Sequence, residues 1–450
     1  MNLNKIHNVY FIGIGGIGMS AIARYFKANG KKVAGYDKTR TPITNSLSVL
    51  GIEIHYDDAV KNIPISFLNT KETIVVYTPA VPKDHDELTY FKSNDFTVVK
   101  RSEILGEITK NTFCLGVAGT HGKTTTSSIL GHIMQPEGAT AFLGGIAENY
   151  NSNLILGNDK VSVVEADEFD RSFLRLSPNI ACITSMDADH LDIYGEAEML
   201  QQSFVEFANK VTDTLIVAKG LPLEGLTYAV DEEADYKAYD IRIQNGAYLF
   251  NVKTPTGSIN DVEFNLPGRH NVMNALAALA MADVYGISTE VIKKQLQSFR
   301  GVQRRFSYKI KTDTIVLIDD YAHHPTEIGA VESSVREMYP TQKVLAVFQP
   351  HLFSRTRDFA DGFAESLSKF DEVLLLDIYP AREKPIQGIT SSWLLDKMNI
   401  ENKQLTTKQK VIDDVLKSDA KIVVLIGAGD IGLLVDDIKV KLEEKYNVLT

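Results

Sequence analysis

The most constraining feature of this chain is a rhythm. Short continuous runs rich in Val and Ile alternate with helix-like segments from Asn8 almost to the end. Strands buried on both faces read as unbroken apolar runs, because helices cover both sides of a parallel sheet. Val9–Ile14, Lys32–Tyr36, Thr73–Tyr77 and Thr97–Lys100 read as strands, with a helix over Met19–Asn29. A second series follows at Thr112–Ala118, Val161–Val164, Ile180–Thr184 and Leu215–Val217, with helices at Thr125–Met134 and Glu198–Lys210. Tyr248–Val252 and Val262–Asn265 flank the turn-rich Thr254–Asn260 and predict an antiparallel hairpin, followed by a helix over Asn274–Val284. A third series has strands at Ile315–Ile318, Val344–Phe348, Val373–Leu376 and Ile422–Ile426. With 450 residues and roughly 150 per domain, three α/β domains in series are expected. The polar stretch Glu107–Asn111 and the basic stretch Gln303–Arg305 place their boundaries at 1–108, 109–300 and 301–450.

Charge narrows the partners. Lysine and arginine number 47 against 58 acids, a formal net charge of −11. Such a chain repels polyanions, so neither nucleic acid nor an anionic membrane surface is an expected partner. Local clefts for small phosphorylated ligands stay open. Cys114 and Cys182 each sit in an apolar run and read as buried, reduced thiols. The run Val9–Ala23 is broken by glycines and has no basic leader, so no signal peptide is expected. No stretch reaches the roughly 20 apolar residues of a membrane span, and a cytoplasmic location is expected. No pattern sets an oligomeric state.

Two glycine-rich segments interrupt the rhythm where a strand hands over to a helix. In the first, Gly13, Gly15, Gly16 and Gly18 permit a tight turn and let backbone N–H groups approach a pyrophosphate. Asp37, ending the next strand, stands where an acid would bind a ribose. The second is Gly119-Thr120-His121-Gly122-Lys123-Thr124-Thr125. Its glycines can wrap phosphates, Lys123 supplies a point charge to β/γ oxygens, and the Thr124 hydroxyl suits Mg²⁺. Val117 stands where the usual P-loop has its first glycine, so this loop is shorter. Two strands then end in acids, Glu165-Ala-Asp167-Glu168 and Asp187-Ala-Asp189-His190-Leu-Asp192. Carboxylates and an imidazole at adjacent strand ends can converge on one or two cations, with Thr124, Glu165 and His190 the expected ligands.

These segments resemble the Mur ligases of peptidoglycan synthesis. The resemblance rests on Gly119–Thr125, Glu165–Glu168, Asp189-His190 and Gly268-Arg-His-Asn271-Val-Met-Asn274. Gly13–Ser20, Asp320-Tyr321-Ala-His323-His324-Pro-Thr-Glu327, Gln349-Pro-His351, Ser354-Arg355-Thr-Arg357 and Asp377-Ile-Tyr-Pro-Ala narrow it to the branch that adds the first amino acid. It covers essentially the whole chain. It implies a Rossmann-like N-terminal domain for the UDP part of UDP-N-acetylmuramate, a P-loop ATPase-like central domain for Mg-ATP, and a Rossmann-like C-terminal domain for L-alanine. The implied reaction joins L-alanine to the substrate carboxylate through an acyl phosphate, a step of cell-wall biogenesis. The nearest alternative is the branch that attaches a recycled tripeptide to the same nucleotide.

The chemistry asks for particular residues. A carboxylate is a poor electrophile and must be activated, so Lys123 near the transferring phosphate supplies charge neutralisation. The incoming amine must lose a proton, to His323 or to an acid such as Asp320, while the His323–His324 pair could instead orient substrate. The family pattern implies that Asn271 and Asn274, three apart on one helix face, read the adenine edge, with helix capping the alternative for Asn271. Arg304 or Arg305 at the expected hinge could stabilise the transferring phosphate. Tyr321 beside His323, and His351, Arg355 and Arg357 after a strand, suit a carboxylate or phosphate. Relatives that use a carboxylated lysine carry it after the Asp-His pair. His190–Asn209 has no lysine, so no such modification is expected. Arg382 stands before Glu383 where relatives often have glycine.

Overall fold

The computed structural model describes residues 3–187, 197–244, 247–381 and 383–448. Three largely parallel sheets carry the chain. The first has five strands in the order Glu53–His55, Lys32–Tyr36, Asn8–Ile12, Thr73–Tyr77, Thr97–Lys100, all parallel. Strand order reverses at Asn8–Ile12, and the glycine-rich turn leaves that strand at its C-terminal end. This is where open α/β sheets place a ligand crevice.

The second sheet has ten strands. Its parallel centre runs Tyr236–Gln244, Leu226–Val230, Thr214–Ala218, Ile180–Ile183, Phe113–Ala118, Val161–Glu165, Thr140–Ala147. Ser152–Ile155 closes one edge antiparallel to Thr140–Ala147. Ala247–Thr254 and Gly257–Phe264 form the other edge. Only Pro255 and Thr256 link those two strands, so they pair as the expected hairpin, with a tighter turn than the sequence suggests. The third sheet runs Ser307–Lys311, Val316–Asp320, Ile422–Ile426, Val344–Phe348, Glu372–Leu375, Lys403–Leu405. Only its first strand is antiparallel.

The sheets fall into two compact units. The first comprises 1–242, 249–265 and 272–300, and the second comprises 243–248, 266–271 and 301–450. Within the first unit a continuous apolar core joins the first two sheets. Val9, Phe11, Met19 and Ile22 share it with Phe142, Leu154, Phe173 and Phe204. The stretch read as a polar linker is the end of a helix, Arg101–Thr109. Its Ile104, Leu105 and Ile108 are buried, so an amphipathic face outweighs the polar composition. In the second unit Phe306, Ile318, Phe348 and Phe363 centre one apolar layer, and Leu317, Val347, Leu425 and Ile438 another, on opposite faces of the sheet. Cys114 and Cys182 are buried and free. Among the described residues no helix is long and apolar enough to cross a membrane.

Candidate active site

Register places the chemistry of the first unit. Val117 pairs with Glu165 and Ala118 with Ile183, so the strands on either side of Phe113–Ala118 end level with the loop that leaves it. Gly122 turns the chain at φ +82° and the helix Lys123–Met134 begins at once. A Cβ at Gly122 would lie 2.6 Å from Asn274 Oδ1. The left-handed backbone and the close amide both demand glycine here.

Lys123 Nζ donates to Gly119 O at 2.5 Å and to Glu168 Oε1 at 2.9 Å. Burial alone would lower its pKa. The carboxylates of Glu168, Asp167 and Glu165 outweigh that and hold the ammonium above its ordinary range. Thr124 Oγ1 donates to Glu165 Oε1 at 2.9 Å, and Glu165 Oε2 accepts from Gly144 N at 2.9 Å. Burial raises the pKa of Glu165, opposed by Lys123 and these donors. A hydroxyl and a carboxylate at this separation form a hard-oxygen donor pair that fits Mg²⁺. Thr184 Oγ1 donates to His121 O, and Ser185 Oγ accepts from His121 N at 2.8 Å, which pins the loop from the neighbouring strand. Asp189, His190 and Asp192 lie outside the described residues.

The N-terminal turn uses Gly13 at φ +85° and leads into the helix Ile17–Ala28. Tyr36 pairs with Ile12, which brings Asp37 alongside the turn. Asp37 Oδ2 accepts from Gly15 N at 2.7 Å and Oδ1 from Thr39 N at 3.1 Å. The helix packs on the edge of the second sheet, where Asn153 Nδ2 donates to Ile17 O at 2.5 Å and Ser20 Oγ at 2.9 Å. Turn and ATP-type loop therefore belong to one compact body.

In the second unit, Asp320 and Phe348 both pair with Ile426, so three chain segments leave the sheet at one end. Asp320 accepts from Phe306 N and Ala322 N, each at 2.7 Å. Burial lifts its pKa to about 6 against the pull of Arg305 and these donors. His323 Nδ1 lies 3.0 Å from Tyr321 O, and since a carbonyl only accepts, Nδ1 carries the proton. Burial lowers the His323 pKa, with Glu327 opposing. The His351 ring stacks on Tyr379 at 5.7 Å. Arg304 Nη2 donates to Gly427 O at 2.6 Å, and both Arg304 and Arg305 lie over the Tyr321 ring.

Three family models match the chain in order. They are the Mur ligase family catalytic domain over residues 8–112, the Mur ligase middle domain over 117–282, and the Mur ligase glutamate ligase domain over 304–434. The chain belongs to the Mur ligase family. Among relatives, a UDP-N-acetylmuramate–L-alanine ligase of Flavobacterium johnsoniae is 61% identical across 99% of this chain and 100% of its own length. One of Flavobacterium psychrophilum is 62% identical over the same shares. The solved UDP-N-acetylmuramate–alanine ligase of Thermotoga maritima matches with a TM-score of 0.83 at 28% identity, covering 98% of this chain and 99% of that one. A murein peptide ligase of Psychrobacter arcticus matches at 0.68 and 21% identity, covering 99% and 100%, a likeness of fold.

In this Mur ligase the structure gathers Gly119, Thr120, His121, Gly122, Lys123, Thr124, Glu165 and Asn274 around one loop. Thr125 is buried in the helix behind it. Asn271 differs from Asn274 in using its amide on Pro267 O at 2.6 Å. In the second unit Tyr321, His323 and His351 come together, and Arg355 bears electrostatically on His323. Arg357 is exposed and turned to its neighbour Asp358 at 2.7 Å. Arg382 lies outside the described residues. Sequence reasoning missed Arg101, Gly144, Thr184 and Ser185. None belongs to a local pattern, and each reaches the site only through the packing of strands and helices distant in the chain.

Proposed function

We propose that this Mur ligase joins L-alanine to the carboxylate of UDP-N-acetylmuramate, with ATP converting that carboxylate to an acyl phosphate before the amine attacks. What supports the reading is one compact unit holding two glycine-rich strand–turn–helix junctions, of which only one has a built-in lysine. It agrees with the activity named for relatives at 61% and 62% identity. Domains at 1–108, 109–300 and 301–450 would then take the UDP-sugar, ATP and alanine.

Gly13, Gly15, Gly16 and Gly18 would receive the sugar-nucleotide pyrophosphate, and Asp37 shapes the turn by holding Gly15 N. Lys123 neutralises charge as the phosphoryl group moves, an electrostatic role that preorganised cations perform well. Thr124 and Glu165, with His190, would hold Mg²⁺, which offsets phosphate charge when bound. His323 is the better candidate to take the amine proton. Its lone pair is on Nε2 and burial keeps it neutral at pH 7, whereas Asp320 commits both oxygens to backbone donors. Location in the cytoplasm follows from the nucleotide substrates.

The test is release of ADP and phosphate with ATP, UDP-N-acetylmuramate and one amine at a time. L-Alanine should support release and the recycled tripeptide should not. Faster release with the tripeptide would favour the murein peptide ligase reading instead.

A further inference from the structure

Arg101 opens the helix Arg101–Thr109 and is tied to the second sheet, with Nη2 2.9 Å from Asp167 Oδ2. Its guanidinium lies across the N-terminal turn. A Cβ on Gly18 would overlap Arg101 Nη1 and come within 3.1 Å of Cδ. Gly18 has an ordinary backbone conformation, so glycine is needed there for the space the arginine fills rather than for a special φ. Gly144 does the same for Glu165, whose carboxylate occupies the place of its missing Cβ.

Arg101, Gly18, Leu143, Gly144, Glu165 and Asp167 line a cavity of about 140 Å³. Complete small-molecule sites run to roughly 300–1,000 Å³, so this one suits a single arm of a ligand. At one end it meets the glycine-rich turn. At the other it meets Glu165, whose Oε1 accepts from Thr124 of the ATP-type loop. A carboxyl-bearing arm of a nucleotide sugar seated at the turn would have to cross this space to reach a phosphate at the loop. Residues 13–18 carry no cationic side chain, and Gly15 N is already given to Asp37.

We propose that Arg101 is the cationic contact for the carboxylate arm of the nucleotide-sugar substrate, with Asp167 holding the guanidinium until that arm arrives. The assignment rests on the proposed ligase function. The planar guanidinium matches a carboxylate through two parallel N–H donors, which a lysine cannot reproduce. Substrate carboxylate and Asp167 compete for the same fork, and Asp167, with about a third of its side chain exposed, can turn to water when it gives way.

Calorimetric titration of the full chain with UDP-N-acetylmuramate, UDP and ATP separately tests it. Arg101→Ala should weaken UDP-N-acetylmuramate by about 10- to 100-fold, the loss expected for a charge-assisted hydrogen bond. It should leave UDP and ATP within about twofold, and Arg101→Lys should recover part of the loss. In turnover, KM for the nucleotide sugar should rise more than kcat falls. Asp167→Asn removes the competitor and should leave that affinity unchanged or tighter. Unchanged UDP-N-acetylmuramate affinity in Arg101→Ala overturns the proposal. So does an equal loss for UDP, which moves the contact to the pyrophosphate, or a matching loss in Asp167→Asn, which reduces Arg101 to a structural tie. Failure of the unaltered chain to bind UDP-N-acetylmuramate while still binding ATP would instead overturn the functional reading.

Discussion

At Gly13–Gly18 and again at Gly119–Gly122 a parallel strand ends, glycine turns the chain through positive φ, and a helix starts. The two differ in where their charge comes from. The second loop carries Lys123 as its first helical residue and surrounds it with Glu168 and two carbonyls. The first has no cation of its own, and Arg101 comes to it from a helix in another part of the chain. A binding loop can thus be visible in sequence while its charge is not.

The largest effect should come from the built-in charge. Lys123→Ala is expected to lower kcat by about 10³-fold while UDP-N-acetylmuramate affinity stays within about twofold, read by turnover beside calorimetry. Retained turnover would erase the contrast between the loops.

The carboxylate facing that lysine comes next. Glu168 is fully buried and Lys123 nearly so, and breaking a buried pair commonly costs about 3 kcal/mol. Glu168→Gln should lower Tm accordingly, and ATP should raise Tm more in the variant than in the parent, because phosphates replace the lost counter-charge. An equal ATP-induced rise in both would count against Glu168 as that counter-charge.

The same substitution in the two turns sharpens the comparison. Gly122→Ala forces a left-handed alanine costing about 1–2 kcal/mol and crowds Asn274, so stability and ATP affinity should both fall. Gly18→Ala meets only the end of a flexible arginine. Stability should hardly change, while UDP-N-acetylmuramate affinity drops by about tenfold. Identical thermal shifts in the two variants would show that the turns need glycine for the same reason.

A pH effect belongs to the strand Asn8–Ile12 that leads into the first turn. Glu87 is buried, takes the Tyr10 hydroxyl at 2.8 Å, and has its pKa raised by burial from 4.5 to about 7. Between those values the folded chain keeps a proton that the unfolded chain has lost. Stability therefore falls as pH rises through the window, by up to about 1.4 kcal/mol per pH unit. Glu87→Gln should flatten that slope, measured by urea unfolding from pH 4.5 to 7. An unchanged slope would assign the proton elsewhere.

Much of the fold was legible because buried parallel strands leave continuous apolar runs. Lys32–Tyr36, Thr73–Tyr77, Thr97–Lys100, Val344–Phe348 and Ile422–Ile426 have the bounds their composition suggests. Glu53–His55 and the helices Pro42–Val49 and Asp86–Ser93 escaped notice. The strand is three residues long, and the helices bury only a few side chains each, too few for a clear period.

The amino-acid sequence by itself determined the two glycine turns, the lysine and threonine of the ATP-type loop, and the order of three α/β blocks. These depend on neighbours within a few residues, where steric and hydrogen-bonding rules act directly. Tertiary structure alone decided that Glu165 ends level with Val117, that Asn274 rather than Asn271 faces Gly122, and that Arg101 covers Gly18. Those pairings join residues far apart in the chain. They are set by strand register and by which helix fills which groove of a shared core, and no local pattern encodes them.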